Sequence, residues 1–132
     1  MDTAAVDHDT RPTTATVDFA GSEVVSAEIE PGSLRVHFAA LNLRSTSTFL
    51  QRAELVLSLT EACSLPAGCL GRLSRGSVTV NGSRAWLQVP WECHGTIELE
   101  LEFANGTHCL ARGGHLTLRQ QPGAGSAEHL HC

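Results

Sequence analysis

A chain of 132 residues is long enough to bury one hydrophobic core and short enough that a single domain is expected. Its formal charge of −5 argues against a protein that coats nucleic acid or an anionic membrane, since both partners require a basic face. There is no Lys and no Tyr, which excludes Schiff-base chemistry, a phosphate-gripping P-loop lysine and a tyrosine general acid.

The four aspartates, Asp2, Asp7, Asp9 and Asp18, fall in the first eighteen residues. A Ser-His-Asp site would therefore have to recruit from that segment or use Glu instead. No basic stretch leading into an apolar run opens the chain, and no apolar run approaches the ~18–20 residues of a membrane-spanning helix. A cytoplasmic location is expected. The five cysteines, Cys63, Cys69, Cys93, Cys109 and Cys132, are odd in number and lack a repeated spacing, so they read as reduced thiols.

Residues 1–14 are polar and aperiodic and read as a disordered arm. Thr16 to Phe19 begins a short strand that Gly21 is expected to end. Glu23 to Glu30 follows, with Val25, Ala27 and Ile29 on its inner face. Pro31-Gly32 turns the chain into Ser33–Ala39, where Leu34, Val36 and Phe38 alternate with Arg35 and His37. Asn42 to Gln51 is a polar Ser/Thr-rich link. Arg52 to Leu59 alternates again, placing Ala53, Leu55, Leu57 and Leu59 inward.

Thr60 to Gly68 has no clear period, and Cys69 to Ser74 reads as a short edge strand. Ser77 to Leu87 is a hairpin around Asn81-Gly82, the dipeptide preferred in two-residue type I′ turns. Val89 to Gly95 is read as a loop. Thr96 to Arg112 is a second Asn-Gly hairpin, in which Ile97, Leu99, Leu101 and Phe103 alternate strictly with Glu98, Glu100 and Glu102. A two-residue turn at Asn105-Gly106 sets Phe103 against His108, Leu101 against Leu110 and Glu102 against Cys109. Gly113-Gly114 suggests a bulge before His115–Arg119, with Leu116 and Leu118 inward. Residues 121–132 form a Gly/Ala/Ser-rich tail.

Eight to nine short strands at this spacing predict an all-β domain over residues 15–120, an antiparallel β-sandwich or flattened barrel. Its expected core is Leu34, Val36, Phe38, Leu55, Leu57, Leu59, Val78, Val80, Leu99, Leu101, Phe103, Leu110, Leu116 and Leu118.

Glu98, Glu100 and Glu102 are spaced ~6.5–7 Å apart along one strand face, near the carboxyl separation of inverting glycoside hydrolysis. The row nevertheless reads as solvated, or as protection for a strand edge. Cys93-His94, His108-Cys109 and His129-Leu130-His131-Cys132 carry zinc-type donors, but no Cys-x-x-Cys knuckle organises them. The tail donors would bind transition metals adventitiously. Arg72 and Arg75, in the loop Gly71–Ser77, offer two guanidinium forks to an anion. That loop departs from the Asp/Asn-x-Ser-x-x-Gly pattern of PilZ barrels, with Arg72 at the Asp/Asn position and Gly76 one residue early, and reads as a turn. Asn81-Gly82-Ser83 and Asn105-Gly106-Thr107 match the N-glycosylation pattern, but with no signal peptide visible the turn requirement suffices to explain both.

Trp86 shares the outward parity of Arg84, and an exposed Trp beside Arg typifies a binding surface. Three functions follow. The favoured one is a non-enzymatic module that binds a protein partner through Trp86 and Arg84, or self-associates through a sheet edge. The second is an anion- or sugar-binding module using Arg72, Arg75 and Trp91. The third is a metal-binding or hydrolytic protein around Cys93, His94 and His108. No cofactor or metal is expected on the favoured reading, and no nucleic-acid or membrane partner.

Overall fold

The computed structural model describes residues 15–44 and 48–121. The expected arm and all of the expected tail except Gln121 lie outside these. Eight strands are present and no helix occurs among the described residues. They are β1 (Ala15–Glu30), β2 (Ser33–Leu43), β3 (Thr48–Leu59), β4 (Gly71–Val80), β5 (Ser83–Ala85), β6 (Gln88–Val89), β7 (Trp91–Phe103) and β8 (His108–Gln120). Every pairing is antiparallel.

The sheet runs β5-β4-β7-β8-β3-β2-β1-β6, and pairing of β4 with β1 closes six of these strands into a barrel. Closure is made at Glu23 opposite Arg72 and Val24 opposite Gly71. The two short strands stand outside the ring. A six-stranded barrel is too narrow for a lumen, so side chains fill it. Phe38, Phe103, Leu34, Leu55, Leu57, Ile97, Leu99, Leu101, Leu116 and Leu118 are all fully buried.

Bulges account for most departures from the sequence-based expectation. Gly21 does not end β1. The strand kinks there, with φ +85°, and continues through register shifts between Asp18 and Ser26. Val24 pairs with Phe38 and Ser26 with His37, so Val25 is the extra residue and faces solvent while Val24 is buried. Ile29 is likewise exposed and Ala27 only partly buried. From Gly71 onward the segment read as an edge strand belongs to β4, an interior strand of the ring with a shift between Leu73 and Arg75. The polar link at Asn42–Gln51 is mostly strand, and the loop expected at Val89–Gly95 is the end of β6 and the start of β7 around a cis Val89-Pro90 bond.

The two Asn-Gly hairpins differ. Asn81 (φ +53°) and Gly82 (φ +85°) both take positive φ and join Val80 to Ser83 in a two-residue turn. At the second site only Gly106 (φ +91°) does so. Gly106 N–H donates to the Phe103 carbonyl at 2.9 Å and Phe103 N–H to the Thr107 carbonyl at 2.8 Å. This is a three-residue loop with Gly106 in the left-handed position. It slides β8 by one residue against the expected register: Leu101 faces Cys109 and Glu102 faces His108. Cys109 and Ala111 are therefore buried and Leu110 is exposed, while Leu59 and Val80 are only partly buried.

A Cβ on Gly82 or Gly106 would meet nothing within 4 Å, so substitution there tests backbone strain alone. Valine at either position is expected to destabilise the fold by about 1–2 kcal/mol. Unchanged denaturant midpoints in both variants would refute the turn assignments.

Candidate functional site

Trp86 sits between β5 and β6. Its neighbour Leu87 is buried and anchors the segment, its carbonyl accepting from Val17 N–H at 2.9 Å. Alternation about that anchor turns Arg84, Trp86 and Gln88 outward, and Trp86 is 55% exposed. The Arg84 guanidinium carbon lies 4.8 Å from the indole centroid, and that of Arg44 lies 5.0 Å from it. Arg44 is brought there by β1: its N–H donates to the Thr16 carbonyl at 2.8 Å, next to the Val17–Leu87 bond. An exposed indole thus carries two cations, each contact worth roughly 0.5–1 kcal/mol at a solvated site.

Arg35, Arg75 and Arg112 are all paired with glutamates. Arg44 and Arg84 make no such pair among the described residues. In a chain of net charge −5 this places two cations beside an aromatic ring that is 55% exposed. A depression of roughly 200 Å³ adjoins it, lined by Arg84, Gly76, Ser77, Arg75, Glu100 and Glu102.

The other predicted site residues are dispersed. Arg72 is exposed on β4 opposite Glu23, and Arg75 Nε donates to Glu102 at 2.6 Å. Trp91 is half-buried against the core at the opposite end of β7, where it faces Leu118. Some eleven residues of strand separate it from Glu102, on the order of 30 Å along the chain. These three side chains do not share a face.

Cys93 and His94 belong to β7 rather than to a loop, so they point to opposite sides of the sheet. Cys93 packs against the core; His94 lies outside, stacked on His115. His108 is at the far end of β7 and β8, with Nε2 2.6 Å from Glu100 Oε2. Burial pushes the Cys109 thiol up to about 12 and raises Cys63, Cys69 and Cys93 as well. A nucleophilic cysteine needs the reverse shift. The four cysteines among the described residues are free.

The carboxylate row is a ladder of hydrogen-bonded pairs across β4, β7 and β8. Arg112 Nε donates to Glu98 at 2.8 Å, His108 meets Glu100, and Arg75 meets Glu102. β7 is interior to the ring, so the row protects no edge. Glu92 continues it: its carboxylate is 2.6 Å from His115 Nε2, and that hydrogen bond, aided by the charges of His115, His94 and Arg119, holds its pKa below the usual glutamate value.

Sequence reasoning missed Arg44, because it lay in the presumed link, and missed Glu92 and His115. Glu92-x-His94 at a spacing of two was a usable signal, suppressed by reading that stretch as a loop. No protein-family model, curated protein or solved structure matches this chain.

Proposed function

We propose that this barrel is a non-enzymatic interaction module whose Trp86, Arg84 and Arg44 surface docks an acidic segment of a partner protein. The single observation that carries this reading is the exposed indole with two guanidinium groups within about 5 Å of its centroid. Trp and Arg are the residues over-represented at interface hot spots, where a ring fills the contact and guanidinium forks bind carboxylates. The stacked arrangement also restrains all three long side chains before binding, lowering the entropy lost on docking. Self-association by sheet continuation has less to use: barrel closure removes the principal edges and leaves those of the short strands β5 and β6.

The test compares partners recovered from the protein's own cell extract by the native chain, Trp86→Ala and Arg84→Glu. Any partner held by the native chain is then titrated against the purified variants. Each variant should melt within a few degrees of native, because both side chains are exposed. Trp86→Ala should weaken the measured affinity about thirtyfold, the scale of a 2 kcal/mol hot spot. Equal affinity for native and Trp86→Ala would remove this surface as the site.

A further inference from the structure

We propose that Glu92, His94 and His115 bind a divalent transition-metal ion of the zinc type on the outer face of β7 and β8. The backbone register creates the set. His94 and His115 are direct cross-strand partners, and Glu92 is two residues before His94 on the same face, diagonal to His115. Each supplies one donor atom, and the three donors lie within 4.8 Å of one another. Two ligands at zinc distances of about 2.1 Å cannot be more than about 4.2 Å apart, so the widest donor pair needs only a small contraction.

That contraction is open to them. Glu92 and His94 are exposed and His115 is half-buried, so side-chain rotations meet little resistance. The imidazoles stack with centroids 4.3 Å apart and planes 11° from parallel, and a metal would tilt them until their nitrogen lone pairs converge. The 2.6 Å bond between His115 Nε2 and Glu92 Oε2 is the contact that would open to admit the ion. The strands themselves are fixed: β7 and β8 lie inside the ring, with Cys93 and Leu116 packed inward directly beneath. Two imidazoles and one carboxylate are borderline donors that suit zinc, nickel or copper better than calcium or magnesium. Three protein ligands leave at least one position to water, so the site is of the open type.

The tail residues His129, His131 and Cys132, and the thiols near the core, must be separated from it. The experiment therefore uses the full-length chain with His129→Ala, His131→Ala and Cys132→Ala as its background. Zinc is titrated by competition with a chromophoric chelator, and cobalt(II) is used for spectroscopy. The background protein should bind one equivalent of zinc. Adding His94→Ala or His115→Ala should weaken binding at least thirtyfold, and Glu92→Gln about tenfold. Metal-free melts of these variants should match the background, since all three side chains face outward. The cobalt form should lack thiolate charge-transfer absorption. Loss of all binding in the background protein would overturn the assignment. So would indifference to His94→Ala and His115→Ala, or a cobalt spectrum with thiolate bands.

Discussion

Alanine at Gly113 is expected to destabilise the barrel by about 3 kcal/mol, while alanine at the adjacent Gly114 changes stability by less than about 0.5 kcal/mol. Gly113 lies where β8 is squeezed between β7 and β3, opposite Ile97 on one side and Leu59 on the other. Register shifts flank it on both sides, between Ser58 and Leu59 and between His94 and Ile97. A Cβ there would overlap the Ser58 carbonyl oxygen and stand 2.6 Å from Leu57 Cδ1, itself fully buried. Neither neighbour can move: one is backbone, and the other is locked in the core. A Cβ on Gly114 instead meets Thr60 Cγ2 at 3.5 Å, an ordinary van der Waals contact. Urea denaturation of the two variants measures the contrast. Similar midpoints for both would mean that the bulge relaxes freely and does not fix the register of β8.

That bulge also explains what could be read from the chain and what could not. Strict alternation identified the buried faces of β2, β3 and β7, because Leu34, Leu55 and Leu99 lie in uninterrupted strand where parity is conserved. In β8 the inward set changes from Cys109, Ala111 and Gly113 to Leu116 and Leu118. A single extra residue flips parity, so Leu110 cannot share a face with Leu116 and Leu118 once Gly113-Gly114 bulges. The expectation of all three inward was internally inconsistent with the bulge also expected.

The missing information was the turn. Asn105 and Asn81 precede Gly in the same way, but Asn105 accepts from Thr107 N–H at 2.8 Å and donates to the Gly68 carbonyl at 3.0 Å. These bonds hold it outside the left-handed region and lengthen the loop by one residue. The second of them depends on Gly68, 37 positions away, which no local pattern reveals. The candidate site followed the same logic. Arg84 and Trp86 share outward parity and could be paired from the sequence, whereas Arg44 meets Trp86 only because both segments bond to the start of β1.

Stability should fall steeply between pH 9 and 12, and the thiols alone among the side chains should be responsible. A chain without Lys or Tyr has no other side chain that titrates in this interval. Burial raises Cys109 from 9.0 to about 12, and burial raises Cys63, Cys69 and Cys93 in the same direction. Between these values the unfolded chain loses thiol protons that the folded chain keeps. The unfolded state then binds fewer protons, and the free energy of unfolding decreases as pH rises. The stabilisation from Cys109 is complete below pH 9 and is lost progressively toward pH 12. At pH 11, two units above the unfolded value, Cys109 alone should remove about 2–3 kcal/mol. Cys109→Ala lowers stability near neutral pH by opening a small cavity, but its loss between pH 9 and 11 should be shallower by about 1 kcal/mol per pH unit. Guanidinium midpoints measured under reducing conditions from pH 7 to 11 compare the two slopes. Parallel slopes would show that the Cys109 thiol ionises as easily in the folded barrel as in the unfolded chain, and that its burial opposite Leu101 is wrong.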